Sequence, residues 1–202
     1  MTGLRALKKD RTRQALSEAA IALFLERGFD AVSVADVAAA AEVSKPTLFR
    51  YFPSKEDLVL HRIADHQGEA ARVVAGRGAR SPLDALHAHF REGLRRREPT
   101  TGLCDHPAVL AFHRLVFDTP SLASRFVDFV TADTAALTAA LGGGTAAELV
   151  AAQVIAVHHV LARRNYAELA AGRRADDVLE SATEAADLAF ALLKDGAAAH
   201  GY

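Results

Sequence analysis

Between Val43 and Lys55 the chain places Ser44, Lys45, Thr47, Arg50, Tyr51 and Lys55, and no carboxylate falls in that interval. Hydroxyl groups at this spacing can hydrogen-bond base edges, and lysine and arginine can neutralise phosphates, which a neighbouring carboxylate would oppose. The chemistry suggested is attachment to a polyanion rather than bond making. The same residues also fit an ordinary capped helix with a solvated polar face, so the surrounding elements carry the decision.

Ser44 stands where an N-cap is wanted, and Pro46 follows in a first turn, where its missing N–H costs nothing. Leu48, Phe49 and Phe52 supply a packing face, and Pro53 ends the segment. Upstream, Ser33 and Asp36 form a capping-box-like pair ahead of Val37, Ala38 and Ala41, which predicts a short helix over 34–40. Before it, Leu16, Ala19, Ala20, Leu23 and Phe24 recur at helical spacing over 11–27, and Gly28 suits a left-handed cap. Ser54 and Asp57 repeat the capping signature ahead of Leu58, Val59 and Ile63, predicting a helix that runs to about residue 75. Two short capped helices joined by a tight turn are the pattern of a helix-turn-helix, whose second helix enters the DNA major groove.

Composition agrees with an all-α fold. Of 202 residues, half are hydrophobic, 44 are alanine, six are proline and none is tryptophan, so helix formers dominate and a core can be buried. The single cysteine, Cys104, forms no intramolecular disulfide, which fits a cytoplasmic protein. No run of 18 apolar residues escapes polar interruption and no signal-type segment follows the N-terminus, so no membrane partner is expected. The net charge of −1 conceals a basic arm over 1–10 and an acidic end over 175–202.

Gly28-Phe29-Asp30-Ala31-Val32-Ser33-Val34-Ala35-Asp36-Val37-Ala38, then Ala41-Glu42-Val43-Ser44-Lys45-Pro46-Thr47-Leu48-Phe49-Arg50-Tyr51-Phe52 and Ser54-Lys55-Glu56-Asp57-Leu58, resemble the N-terminal signature of the tetracycline-repressor (TetR) family of transcriptional regulators. The resemblance runs without a gap from about Arg11 to Leu58. It implies a three-helix DNA-binding domain, a larger all-helical ligand-binding and dimerisation domain, and repression relieved by a small molecule. Carried over residue by residue, it makes Ser44, Lys45, Thr47 and Tyr51 DNA-facing, with Pro46 in the same turn and Lys55 a phosphate contact. Arg50 is added from its charge and position. The chain departs from the family pattern at Val32, where threonine is usual, at Glu42, where the turn glycine is usual, at Pro46, where glycine is common, and at Phe49, where tyrosine is usual.

The expected division is a helix-turn-helix domain over 1–58, a connecting helix and linker over 59–80, and a helical effector-binding and dimerisation domain over 81–202. In the last, helices are predicted from Pro82 to about Arg97, from Asp105 to Phe117, from Pro120 to Leu141, from a Thr145/Glu148 cap to Ala171, and from Asp176 to Lys194. No phosphate-binding glycine loop, Gly-x-Ser-x-Gly or His-Glu-x-x-His motif occurs, so no enzyme and no cofactor are expected. The pairs Cys104/His106, His87/His89 and His158/His159 lack the i, i+3 or i, i+4 spacing of ligands on one helix face, and no metal is expected. Phe90, Leu110, Phe117, Phe126, Phe129 and Val130 read as core or as cavity wall, with His113, Asp133 and His159 as polar candidates for holding a small apolar effector. Val150, Val154, Val160 and Leu161 on one helix, with Val178, Ala182, Ala186 and Leu192 on the next, predict burial on several sides, one of them a partner subunit. The resemblance likewise implies a homodimer through these last two helices, bound to double-stranded operator DNA. Two alternatives stand beside it: an all-helical ligand-binding protein or enzyme that does not bind DNA, and a DNA-binding protein without an effector.

Overall fold

The computed structural model describes residues 2–197, the side chains of 2–6, 8 and 197 excepted, so Arg5 and Lys8 of the basic arm lie outside the described side chains. Among the described residues there are ten α-helices and no strand: α1 (Thr2–Arg27), α2 (Val34–Ala40), α3 (Lys45–Tyr51), α4 (Lys55–Ala64), α5 (Glu69–Ala75), α6 (Pro82–Arg95), α7 (Pro107–Asp118), α8 (Pro120–Ala140), α9 (Gly144–Ala170) and α10 (Ala175–Ala197). A 3-10 turn, Pro99–Thr101, precedes α7.

The predicted caps of α2 and α4 form as full capping boxes: the Ser33 and Ser54 hydroxyls accept from Asp36 and Asp57 N–H, and both carboxylates accept in return from the serine N–H. Hydrogen bonds from Ser33 hold the Asp36 carboxyl below its ordinary range, keeping it charged at a helix N-terminus. Two local expectations fail. The helix predicted from Ser54 to about residue 75 is broken at Gly68, which takes φ +73° while its N–H donates to the Asp133 carboxylate at 2.8 Å. The Thr145/Glu148 cap does not form, because α9 starts two residues earlier, behind Gly143 with φ 77° and ψ 179° and no side-chain cap.

The packing separates two units that do not follow the linear division of the sequence. One contains the residues up to Asp65 together with Ala111–Val127; the other contains His66–Leu110 together with the residues from Asp128 on. In the first, Leu16, Phe24, Val37, Leu48, Phe52 and Leu58 are almost wholly buried, each such side chain contributing about 1.5–3 kcal/mol. The Ser17 hydroxyl fastens α1 to α4 by donating to the Leu58 carbonyl at 2.7 Å. Residues 111–127 join this unit through Arg125, whose guanidinium donates to Asp57 at 2.9 Å, and Phe112, whose ring lies 5.8 Å from the Arg62 guanidinium.

The second unit is built on α6, α9 and α10, whose Leu86, Phe90, Val154, Leu161, Val178 and Phe190 share one core. By length and a mean hydropathy of 1.4, α9 is apolar enough to cross a bilayer, but within this fold Val154, Ile155 and Leu161 spend that apolarity on the core.

Candidate nucleic-acid interface

Leu48 anchors α3 in the core of the first unit with no exposed surface, which fixes the face the helix turns outward. Ser44 caps it: its backbone is extended (φ −76°, ψ 151°), and its hydroxyl accepts from Thr47 N–H at 3.2 Å and shares a 2.8 Å hydrogen bond with the Thr47 hydroxyl. At about 100° per residue, Lys45, Pro46, Phe49 and Arg50 then share one arc, and all four are exposed. Thr47 and Tyr51 flank that arc and are half-buried. The Arg50 guanidinium lies 5.6 Å from the centre of the Tyr51 ring, which steadies both.

The turn between α2 and α3 is closed by two main-chain bonds, Val43 N–H to the Ala38 carbonyl at 2.9 Å and Glu42 N–H to the Ala39 carbonyl at 3.1 Å. This is the Schellman arrangement, which places its central residue in the left-handed region, and Glu42 takes φ +52° there. A carboxylate-bearing residue thus does what glycine does more cheaply, and its exposed side chain stands beside the cationic face.

Lys55 is held within the unit. Its ammonium donates to the Phe29 carbonyl and lies 4.2 Å from the Phe29 ring centre and 5.4 Å from that of Phe24. The sequence marks Lys55 as a cation at a helix start but does not show these partners. Phe49, 48% exposed, was absent from the contact set drawn from sequence; its one signal there was the missing tyrosine hydroxyl.

The family model for bacterial regulatory proteins of the tetR family matches residues 16–61, from within α1 to within α4. Over that stretch the chain is similar to the tetR family. It is 38% identical over 128 residues to the HTH-type transcriptional regulator TcmR of Streptomyces glaucescens, covering 62% of this chain and 56% of TcmR. It is 45% identical over 58 residues to the HTH-type transcriptional regulator LuxR of Vibrio harveyi, 29% of this chain and 27% of LuxR. The chain thus spans little more than half of one relative's length and about a quarter of the other's. Among solved structures, a TetR-family regulator from Streptomyces coelicolor is 26% identical with a TM-score of 0.57, over 90% of this chain and 96% of that one. NalD of Pseudomonas aeruginosa, 18% identical with a TM-score of 0.61 over 90% of this chain and 97% of its own, shares the fold.

The nine ligand candidates divide between the two units. His113, Phe117 and Phe126 form a chain of rings in the first, with centroids 4.3 and 5.2 Å apart. In the second, Phe90 is buried and stacks on His158 at 5.2 Å, Leu110 and Val130 pack against the core, and Phe129 is half-buried. There too Asp133 receives the Gly68 N–H, and burial pushes the His159 imidazole below its ordinary value against the pull of Asp133. A cleft of about 520 Å³ lies instead between α1 and α4, lined by Arg13, Ser17, His61 and Asp65 among others and by none of the nine. Among the described residues no group of three or more His, Cys, Asp or Glu is placed to hold a metal.

The outer faces of α9 and α10 carry four large exposed apolar side chains among polar ones. Leu149, Val160, Leu188 and Leu192 are between 58% and 66% exposed, whereas Val154, Val178, Ala182 and Ala186, expected to share in an interface, are buried in the subunit's own core.

Proposed function

We propose that this chain is a DNA-binding transcriptional regulator, a cytoplasmic homodimeric repressor that a small apolar ligand releases from a pseudo-palindromic operator. The observation that carries the reading is the outward arc of α3, where Lys45 and Arg50 stand exposed with no carboxylate from Val43 to Lys55, on a helix whose other side is sunk in the core. Ser44, Thr47 and Tyr51 supply hydroxyls beside those cations, and Pro46 preforms the first turn. Lys55 adds its charge at the α4 N-terminus while tied to Phe29. The exposed Leu149, Val160, Leu188 and Leu192 supply the apolar surface that a second subunit would cover, placing two α3 helices on one duplex. The effector, held by either ring cluster, acts by binding the released arrangement of the dimer better than the DNA-bound one.

Selection of bound fragments from genomic DNA with the full chain, followed by gel shift, tests this. Six to ten phosphate contacts would weaken binding by roughly 10³ to 10⁵ between 50 and 200 mM salt. Binding that ignores salt, or no selected fragment, ends the proposal. Effector binding is read by calorimetry over a panel of apolar metabolites with and without operator. Linkage requires operator and effector to weaken each other by the same factor, and equal binding in both arms removes the effector from the scheme.

A further inference from the structure

Phe49 is the one large aromatic side chain on the outward arc of α3, and burying it within the chain would be the ordinary use of such a residue. Instead it is 48% exposed, while Leu48 beside it has no exposed surface and Phe52 only 1%. It lies four residues after Lys45 and three after Pro46, so all three share a face, with Arg50 at its edge. Pro46 is exposed too and carries no N–H, so the centre of this face offers carbon and no hydrogen-bond donor, between two cations. The flanking charges direct the face to a polyanion. A surface of phosphates and base edges presents one apolar group in the major groove, the 5-methyl of thymine.

We propose that Phe49, with Pro46 beside it, reads a thymine 5-methyl group in each half-site, making it a specificity-determining residue that acts without any hydrogen bond. This rests on the regulator reading above. The occupant follows from the chemistry of the face: every base presents polar atoms in that groove, which an apolar ring and a proline cannot pair, and thymine alone adds a methyl beside its O4 acceptor for them to cover. The cations on either side hold the neighbouring phosphates whatever the base, so loss of the methyl contact should change preference more than attachment.

Replacing thymine by uracil removes the methyl and leaves every hydrogen-bonding group of the base in place. The full chain is first used to select its duplex from a random library, and each thymine of that duplex is then replaced in turn by uracil. One thymine per half-site should be found at which uracil weakens binding about three- to fivefold, the burial of a single methyl group. Phe49→Ala should abolish that sensitivity while leaving the response at other thymines unchanged, and Phe49→Leu, still apolar, should retain part of it. Because Phe49 is exposed, both variants should melt with the wild type, which excludes a folding defect as the cause. A uracil scan silent at every position, or Phe49→Ala keeping full sensitivity, overturns the proposal while leaving the regulator reading intact. Failure to select any duplex overturns both.

Discussion

The side-chain amide of Asn165, on α9, donates a 2.9 Å hydrogen bond to the main-chain carbonyl of Thr101, and both residues are almost fully buried. The bond docks the 3-10 turn onto α9 next to Gly102, where a Cβ would lie 1.9 Å from the Ala162 carbonyl oxygen and the backbone holds φ +72°. Asn165→Ala leaves the Thr101 carbonyl without its partner and should cost about 1–3 kcal/mol. Gly102→Ala should cost more, since it adds left-handed strain to a clash with backbone that cannot swing aside. Urea unfolding midpoints read both, and a Gly102→Ala variant as stable as the wild type would refute this close approach.

At the α2–α3 turn, Glu42→Gly relieves a left-handed backbone that costs an L-residue about 1–2 kcal/mol, less the 0.5–1 kcal/mol that glycine loses in chain entropy. The net expectation is stabilisation by up to about 1.5 kcal/mol, seen as a higher melting temperature. Glu42→Ala keeps the strain and should not show it. Both variants remove a carboxylate beside Lys45, so both should tighten DNA binding at low salt. Glu42→Gly melting below Glu42→Ala would contradict the backbone account.

What could be foreseen from the sequence was what short spans determine. Ser33 with Asp36 and Ser54 with Asp57 announce their helix starts because the partners lie three residues apart. The break at Gly68 was hidden, since apolar spacing continues through it and its N–H is taken by Asp133, a residue 65 positions away. Lys55 was recognisable as a cation at a helix start, yet its tie to the Phe29 carbonyl depends on how the chain returns after 26 residues. Periodicity likewise marked Phe90 and Phe126 as apolar-face residues without revealing that they pack in different units, because a stripe does not name the helix it meets.

The outer face of α9 and α10 gives a contrast within one experiment. Val160→Asp and Leu192→Asp place a charge on surface exposed in the subunit, so each should fold with full helicity and elute as a monomer with operator binding lost. Ala186→Asp puts the same charge in a position with no exposed surface and should instead unfold the subunit. Sizing together with circular dichroism separates the two outcomes, and intact dimers of Val160→Asp and Leu192→Asp would place the subunit contact elsewhere.

His158 makes stability depend on pH. Its ring stacks on Phe90 at 5.2 Å, and burial, reinforced by the charges of His159 and His89, pushes its pKa down to about 4. In the unfolded chain the imidazole takes its proton near 6.5, so its contribution is intact above that pH and is lost as the pH falls from 6.5 towards 4. At pH 5 the loss should be about 2 kcal/mol. His61 and His159, also held low, add to the same slope. His89 works the other way, because the Glu69 carboxylate raises its pKa and so adds stability below 6.5 that fades as the pH rises, although its exposure keeps that contribution small. The carboxylates held low, Asp36, Glu69 and Asp84, stay ionised in folded and unfolded chain alike above pH 5 and leave this window untouched. Melting temperature should therefore fall between pH 7.5 and 5, and His158→Phe, which keeps a ring against Phe90, should remove most of that fall. An identical pH slope in wild type and His158→Phe would show that the buried imidazole is not its source.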